Sequence, residues 1–326
     1  MVELMQEGME VVIVDNLSNS NREVLDGISE ITGSRPAFEQ MDLRDRRQTF
    51  EVFEKYPGID AVIHFAALKA VGESVEKPLE YYENNLLSMI HLLEAMRKYR
   101  VHSMVFSSSC TVYGEPDTLP VTEDAPIKKA NSPYGNTKQI CEEMMQDTVQ
   151  TSPGMNLISL RYFNPIGAHP SAKIGELPVG VPNNLVPFIT QTAIGIREEL
   201  RVFGDDYSTP DGTAIRDYIN VVDLARAHVV AISRLLDNKQ KLPFEVFNLG
   251  TGTGLSVMEI VTVFEKVTGQ KLNFRIVARR EGDVEKVYAD TSLANRELGW
   301  KAETGIADTL LSAWKWEQNL RSKKVS

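Results

Sequence analysis

Two residues that could together form a base, Tyr134 and Lys138, lie four positions apart in the stretch SPYGNTK at residues 132–138. Residues i and i+4 share one face of a helix, so the Lys138 ammonium can approach the Tyr134 phenol. A tyrosine has a pKa near ~10 and acts as a base at neutral pH only if that pKa falls by about 3, which Lys138 and a second cation could achieve. Ser132 and Pro133 are typical of an N-cap and a first helical residue, so the sequence predicts that a helix begins here. The pair alone is weak evidence, because a Tyr and a Lys on one helix more often only cover its surface.

A third candidate, Ser109, comes after the short apolar run at residues 104–106. This run predicts a buried strand that ends in a hydroxyl-rich loop. Open α/β sheets bind their ligands at the carboxyl ends of strands. We therefore expect the Ser109 hydroxyl, the Tyr134 phenol and the Lys138 ammonium to converge on one substrate oxygen, although an ordinary serine turn is the simpler interpretation.

The elements that would position these residues alternate in the first half of the chain. Short apolar segments at residues 10–14, 38–41, 61–64, 104–106 and 157–160 are separated by helical stretches, the longest of them at 78–99 and 133–150. This rhythm predicts an α/β fold with a doubly wound parallel, Rossmann-like sheet. We expect a first domain over residues 1–165 and a smaller substrate domain over 166–326, from which some segments could return to the first.

The composition bounds the possible partners. The chain has 326 residues, with 35 Lys and Arg against 45 Asp and Glu, so its net charge of −10 argues against nucleic acid or an anionic membrane as the main partner. Two cysteines are too few for a disulfide framework and lack the spacing of metal ligands. No apolar run approaches the ~20 residues of a membrane helix, and acidic residues stand where a signal peptide would be basic. We expect a cytoplasmic protein.

Several further blocks accompany the Tyr and Lys. They are VVIVDN (11–16), MDLRD (41–45), HFAALKAVGES (64–74), YYENN (81–85), RYFNPIGAH (161–169), PNNL (182–185), RDYI (216–219), NLG (248–250) and RREGD (279–283). On these blocks, from about residue 2 to about residue 316, the chain resembles the extended short-chain dehydrogenase/reductase family, most closely its UDP-glucose (UDP-galactose) 4-epimerases. So many blocks in family order make chance a poor explanation.

The resemblance implies an NAD-dependent isomerase of carbohydrate and galactose metabolism. It would interconvert UDP-galactose and UDP-glucose through a 4-keto intermediate, with Tyr134 as the base, Lys138 lowering the pKa of Tyr134, and Ser109 bonded to the sugar oxygen. A bound, cationic nicotinamide would supply the second positive charge. The family's long helices pair across an interface, so a homodimer is implied as well.

The cofactor site begins at Asp15. An acid at the end of the second strand of a dinucleotide-binding unit suits hydrogen bonds to the adenosine ribose and repels a 2′-phosphate, which favours NAD over NADP. An Asp after a strand is also a common turn former. The resemblance assigns cofactor contacts to Asp15, Asn16, Asp42, Leu43, Phe65, Ala66, Lys69, Asn84, Ser109, Tyr134, Lys138 and Phe163.

The uridine diphosphate must meet cations in an acidic protein, and Arg216 and Arg280 match the family positions. The resemblance assigns substrate contacts to Lys69, Ser109, Tyr134, Asn164, Asn184, Leu185, Arg201, Phe203, Arg216, Arg280, Asp283 and Val287. Some relatives carry a bulky tyrosine at the Val287 position. We hypothesise that the smaller side chain admits UDP-GlcNAc and UDP-GalNAc.

The glycine-rich loop that family members place after their first strand does not occur in this sequence. We expect that first strand and its loop to lie outside the given sequence, with Met1 an internal methionine, so that the competence of this chain is conditional. The glycines at 250, 252 and 254 form the only Gly-x-Gly pattern. We interpret them as the turn near the substrate and not as a displaced cofactor loop.

Two other functions remain open at this point. A nucleotide-sugar 4,6-dehydratase needs an acid just after the serine of the strand loop, but Cys110, Thr111 and Val112 come after Ser109. The second alternative is a truncated, cofactor-poor and inactive nucleotide-sugar binder or dimerisation partner. Bound NAD and turnover of UDP-galactose would exclude the binder.

Overall fold

The structure, a computed structural model, describes residues 1–280 and 283–325. A short helix α1 (Val2–Gln6) precedes an alternation of strands and helices. The series runs β1 (Val12–Asp15), α2 (Val24–Thr32), β2 (Ala37–Gln40), α3 (Arg46–Lys55), β3 (Ala61–His64), α4 (Val71–Glu76), α5 (Pro78–Tyr99), β4 (Ser103–Ser107), α6 (Pro133–Thr151) and β5 (Asn156–Tyr162). This is the predicted α/β alternation, with strand ends shifted by one or two residues.

Local sequence explains where the helix with the candidate pair begins. Ser132 adopts extended backbone angles, and its hydroxyl accepts a hydrogen bond from the Gly135 amide at 3.1 Å. Pro133 occupies the first helical position, where its missing N–H costs nothing. The predicted capping of α6 is therefore confirmed.

The main parallel sheet has the order β3-β4-β5-β9, where β9 (Phe244–Leu249) comes from the second half of the chain. Strands β1 and β2 form a separate parallel pair. Within the described residues β1 and β3 are not hydrogen-bonded to each other, and all four residues of β1 are only partly buried. The prediction that a first strand precedes this sequence stays a prediction.

The second half builds two smaller sheets beside the first. In one of them β8 (Ile215–Asn220) pairs with each of β6 (Asn164–Ile166), β10 (Gly254–Ser256) and β12 (Lys286–Val287). In the other, β7 (Leu200–Phe203) pairs with β11 (Phe274–Val277). The helices are α7 (Leu185–Ala193), α8 (Val221–Leu236), α9 (Val257–Thr268) and α10 (Ile306–Val325). Because β9 crosses back to pair with β5, the two halves are interleaved; the boundary at residue 165 stays a prediction.

The apolar cores match this layering. One core lies between the central strands and α8, a second lies under α3, α5 and α6, and a third is enclosed by α7, α9 and α10. Across residues 1–280 and 283–325, none of the helices has the length and apolar character of a membrane span, and no group of His, Cys, Asp and Glu is arranged to hold a metal ion.

Candidate active site

Helix α6 buries both members of the candidate pair in its first two turns. Tyr134 is 9% exposed and Lys138 is 3% exposed. The Lys138 Nζ donates a hydrogen bond to the Ser107 carbonyl at 2.7 Å and lies 4.6 Å from the centroid of the Phe106 ring. The same nitrogen lies 5.8 Å from the centroid of the Tyr134 ring. Both side chains therefore meet the carboxyl end of β4.

Ser109 joins them from the loop after β4. It is the N-cap of a 3₁₀ turn (Cys110–Tyr113), and its hydroxyl accepts a hydrogen bond from the Thr111 amide at 3.2 Å. Ser109 also lies near enough to the Tyr134 phenol to act on its pKa, which it lowers. The hydroxyl, phenol and ammonium that the sequence singled out are thus brought together at one strand end.

Burial dominates the pKa of both members of the pair in this structure. It raises the pKa of the Tyr134 phenol far above its ordinary value, and the nearby Ser109 hydroxyl opposes this only in part. Burial also lowers the pKa of Lys138, to about 8. The Lys138 ammonium donates its hydrogen bond to the Ser107 carbonyl. That Lys138 lowers the pKa of Tyr134 stays a prediction, and a phenolate at Tyr134 requires a further positive charge beside the ring.

A cleft opens at the carboxyl ends of β1 and β3. Small side chains, Ala66 and Ala67, form one wall and leave the backbone accessible. Six of the predicted cofactor residues line it or its rim: Asp15, Asn16, Asp42, Leu43, Ala66 and Asn84. That these residues contact a cofactor stays a prediction.

The two acids of the cleft are fixed by local hydrogen bonds. The Asp15 carboxylate accepts from the Leu17 amide at 2.6 Å and from the Ser20 hydroxyl at 2.8 Å, which folds the loop after β1. Asp42 pairs with Arg44 at 2.7 Å, and this contact lowers the pKa of Asp42 to about 2. Both carboxylates therefore lie at the cleft as ordered hydrogen-bond acceptors.

The other six predicted cofactor residues lie outside the cleft lining: Phe65, Lys69, Ser109, Tyr134, Lys138 and Phe163. The Phe65 ring is half exposed and lies against His228, with 4.6 Å between the ring centroids. The Lys69 side chain is exposed, and its Nζ lies 4.0 Å from the Glu176 carboxylate. The structure therefore brings half of the predicted cofactor residues together in this cleft.

The predicted nicotinamide contact and the predicted specificity position share one apolar cluster. Phe163 and Val287 are both buried there, with Val112, Tyr113 and Ala289. Phe163 lies between β5 and β6, while Val287 ends β12 next to Arg216 of β8. A change of size at Val287 therefore acts on the neighbourhood of Phe163. Asn164 lies on β6 opposite Tyr218.

The predicted uridine diphosphate residues lie along β8, β7 and the segment before β12. Arg216 donates to the carbonyls of Ile215 and Glu285 and lies 3.4 Å from the Asp283 carboxylate. The Arg280 guanidinium lies 4.5 Å from the centroid of the Phe203 ring. Arg201 is exposed on β7. Cationic and aromatic groups thus occur together here, as the sequence indicated for an anionic nucleotide.

The remaining predicted substrate residues begin α7. Asn184 is the N-cap of α7 and Leu185 its first residue. The Asn184 amide donates to the Glu176 carboxylate at 2.6 Å, and this is the carboxylate that Lys69 approaches. Glu176 thus lies between a loop of the first half and a helix start of the second.

The Gly-x-Gly turn after β9 already has a partner within the protein. The amides of Thr251 and Gly252 donate to the buried Asp217 carboxylate at 2.8 and 3.1 Å. A Cβ at Gly250 would lie 2.3 Å from an Asp217 oxygen, so only glycine fits there. Because the Asp217 carboxylate accepts these amide hydrogen bonds, the turn is not a phosphate-binding loop. This agrees with our interpretation of the Gly-x-Gly pattern from the sequence.

Sequence reasoning missed three buried polar groups in this part of the fold. Asn85 is buried, exchanges hydrogen bonds with the Leu68 backbone and donates to the Thr137 hydroxyl, so it ties the cleft wall to α6. Glu142 pairs with Arg161 below Lys138. The Tyr207 hydroxyl is buried and has no hydrogen-bond partner in the part of the chain that the structure describes. Nothing in the local sequence signals these contacts, although Asn85 and Arg161 do fall within family blocks.

Comparisons with known proteins give a broad family and, among the individual relatives, UDP-glucose 4-epimerases. Residues 1–312 match the model of a family described as GDP-mannose 4,6 dehydratase. The chain is 50% identical over 318 residues to the UDP-glucose 4-epimerase of Bacillus subtilis, a match that covers 98% of this chain and 92% of that protein.

Solved structures give the same result. The crystal structure of UDP-glucose 4-epimerase from Stenotrophomonas maltophila with bound NAD and formylated UDP-arabinopyranose superimposes with a TM-score of 0.94 at 49% identity, covering 99% of this chain and 94% of the other. The enzyme from Bifidobacterium longum in complex with NAD⁺ and UDP gives a TM-score of 0.93 at 46% identity, covering 98% and 93%.

Proposed function

The chain belongs to the UDP-glucose 4-epimerases, within the wider family described as GDP-mannose 4,6 dehydratase, and we propose from this premise that it interconverts UDP-galactose and UDP-glucose with NAD as its cofactor. The observation that carries the proposal is the convergence of Ser109, Tyr134 and Lys138 at the end of β4. The near full-length similarity to epimerases supports the same activity.

The residues at the strand end have distinct parts in the reaction at C4 of the hexose. Tyr134 takes the proton of the 4-hydroxyl and later returns it. Ser109 donates a hydrogen bond to the same sugar oxygen, which fixes C4 relative to the base. Lys138 holds a positive charge beneath them and is anchored on the Ser107 carbonyl. Rotation of the 4-keto sugar in the pocket presents its opposite face.

The residues of the cleft fit the adenosine half of NAD. Asp15 and Asp42 are ordered acceptors at strand ends, and Ala66 and Ala67 give the backbone close access to a ligand. An acid at the end of β1 favours a free ribose hydroxyl over a 2′-phosphate. NAD held by these residues would supply a reversible hydride acceptor for C4, so the overall reaction would have no net redox change.

The same geometry argues against a 4,6-dehydratase. A dehydratase needs an acid beside the serine of this loop to protonate the leaving hydroxyl. Cys110 stands there, and burial raises the pKa of its thiol to about 12. Thr111 is the next residue and is not acidic. The site therefore supports abstraction and return of a proton at C4, which is what an epimerase needs.

We propose the remaining contacts by residue. The cofactor contacts are Asp15, Asn16, Asp42, Leu43, Phe65, Ala66, Lys69, Asn84, Ser109, Tyr134, Lys138 and Phe163. The substrate contacts are Lys69, Ser109, Tyr134, Asn164, Asn184, Leu185, Arg201, Phe203, Arg216, Arg280, Asp283 and Val287. The cluster of Arg216, Arg280 and Phe203 supports nucleotide binding in the second half.

Three finer proposals complete the function. Val287, small and adjacent to Phe163, supports turnover of N-acetylated UDP-hexoses as well. The chain forms a homodimer through α5 and α6, supported by the exposed Leu79 and Ile90, which share one face of α5. We place the protein in the cytoplasm, which the free thiols Cys110 and Cys141 support.

Activity and bound cofactor test the proposal together. We expect the purified protein to contain NAD by absorbance and to interconvert UDP-galactose and UDP-glucose. Tyr134→Phe should abolish turnover yet leave the Kd for UDP within about threefold, because only the base is removed. A protein that binds UDP but has neither NAD nor turnover would instead support the inactive nucleotide-sugar binder.

A further inference from the structure

A buried ion pair lies one turn below Lys138 on the inner face of α6. Glu142 and Arg161 are each 4% exposed. Arg161 Nη2 lies 2.5 Å from Glu142 Oε2, and Arg161 Nε lies 3.0 Å from Oε1. An apolar pair of similar volume would often stabilise a core as well as a buried ion pair does. Core stability alone therefore does not explain the Glu142–Arg161 ion pair, and its other contacts show which groups it positions.

One carboxylate oxygen of Glu142 also accepts hydrogen bonds from two serine hydroxyls. Ser108 Oγ and Ser159 Oγ each donate to Glu142 Oε1 at 2.6 Å, and both serines are fully buried. The two serines differ in their neighbours along the chain. Ser108 immediately precedes the proposed catalytic Ser109, whereas Ser159 lies in the middle of β5.

Helix α6 thus holds two consecutive residues at the end of β4. Lys138 Nζ bonds the carbonyl of Ser107, and Glu142 bonds the hydroxyl of Ser108. Tyr134 lies on the same helix, one turn before Lys138. The register of α6 against β4 therefore sets where the Ser109 hydroxyl lies relative to the Tyr134 phenol.

We propose that Glu142, held by Arg161 and acting through Ser108, is a positioning residue that fixes Ser109 against Tyr134 for proton transfer. The inference rests on the proposed epimerase function and goes beyond it. Catalysis is sensitive to such placement, since a displacement of about 1 Å can cost about a hundredfold in rate. The serine pair allows this role to be separated from ordinary core packing.

Ser108→Ala and Ser159→Ala form the matched comparison. Each removes one donor from the same Glu142 oxygen at a fully buried site, so both should lower thermal stability similarly. We expect kcat to fall about 10- to 100-fold in Ser108→Ala and to stay within about threefold in Ser159→Ala, with KM and the Kd for UDP little changed in either variant.

A second measurement removes any dependence on how much protein folds. The rate constant for the absorbance change of the bound cofactor, on rapid mixing with UDP-galactose, does not depend on the fraction of active protein. We expect it to be slow in Ser108→Ala and near that of the unaltered protein in Ser159→Ala.

Glu142→Gln and Glu245→Gln extend the test to the carboxylate itself. Glu245 forms an equally buried pair with Arg234, between β9 and α8 and outside the contacts of Ser109. Both variants should lose stability, but only Glu142→Gln should slow the same rate constant. Equal rates in the two serine variants, or in the two glutamate variants, would overturn the positioning role while leaving the epimerase function intact.

Discussion

At the scale of single residues, burial dominates the electrostatics of the proposed base. Tyr134 and Lys138 are each enclosed, and burial disfavours the charged form of both, which raises the pKa of the phenol and lowers that of the amine. The sequence indicated that both residues share a helix face, but it could not indicate that Ser107 would take the ammonium. The neighbouring Ser109 is the polar group that favours the phenolate here.

The buried ammonium predicts how activity should fall at alkaline pH. Because burial lowers the pKa of Lys138 from 10.5 to about 8, its positive charge is present below pH 8 and is lost as the pH rises through that value. We expect kcat to fall on the alkaline side with an apparent pKa near 8. The measurement is the pH dependence of kcat with UDP-galactose.

Lys138→Arg is the control for this pH dependence. A guanidinium stays protonated at every pH that a protein tolerates. We expect the variant to be slower, because Arg does not fit the Ser107 contact as well, but to lack the alkaline fall. An unchanged alkaline fall in Lys138→Arg would show that another group titrates.

Val287 tests substrate range at the same scale. Its side chain is buried in the same apolar cluster as Phe163, so a larger residue there would take space near the proposed sugar site. We expect the unaltered protein to turn over UDP-GlcNAc, and Val287→Tyr to lose that activity at least about tenfold while keeping most turnover of UDP-galactose. No turnover of UDP-GlcNAc by an unaltered protein that epimerises UDP-galactose would remove the hypothesis.

At the scale of elements, local sequence was enough wherever a helix is defined by its own residues. The bounds predicted for the two long helices agree with α5 and α6, because Pro78 and Pro133 mark their starts and the periodicity of each helix needs no tertiary contact to be recognised. The short strands β6, β10 and β12 of the second half have only two or three residues and no periodicity of their own. Only their pairing with β8 defines them.

Contacts between elements were likewise beyond sequence reasoning. Asn85 and Thr137 are 52 positions apart, and their hydrogen bond of 3.0 Å joins α5 to α6. Asn84, its neighbour, was the residue that the family resemblance favoured, and it lines the cleft. The family blocks in the sequence could place Asn84 at a ligand. They could not indicate that Asn85 lies between two helices and a loop.

Asn85→Ala should loosen the cofactor as well as the fold. The substitution removes four side-chain hydrogen bonds, with Leu68 N, Leu68 O, Thr137 Oγ1 and the Asn84 amide, and a buried polar group left without a partner costs about 1–3 kcal/mol. Since Leu68 lines the cleft, we expect a lower melting temperature together with a lower ratio of bound NAD to protein.

The matched control is Asn220→Ala. Asn220 is also buried, caps α8 and donates to Thr309, and it is not part of the cleft lining. We expect this variant to lose stability but to retain the NAD ratio of the unaltered protein after purification. Equal loss of NAD in both variants would mean that stability alone governs cofactor retention.

At the scale of the whole molecule, the fold brings arginines from separate segments to one part of an acidic protein. The net charge is −10, yet Arg201, Arg216, Arg279 and Arg280 lie on or next to β7, β8 and the segment before β12, where Asp283 and Asp206 pair with Arg216 and Arg279. Arginines placed in this way let an acidic protein bind an anionic nucleotide, while its net charge repels polyanions such as nucleic acid. The composition could exclude the polyanion, but only the fold places these arginines near one another.

The proposed dimer is also a property of the whole molecule, and α5 provides its test. Leu79 is 80% exposed and lies on the same helical face as Ile90, three turns further along. A charge at Leu79 costs little in a monomer, because the side chain is already in water, but it would be buried in a helix-to-helix interface. We expect Leu79→Glu to convert the protein from dimer to monomer, as measured by light scattering, without lowering the melting temperature of the monomer.

Leu242→Glu is the control. It alters an equally apolar, 62% exposed side chain in the loop before β9 and should remain dimeric. If Leu79→Glu stayed dimeric as well, the interface would have to lie on another face.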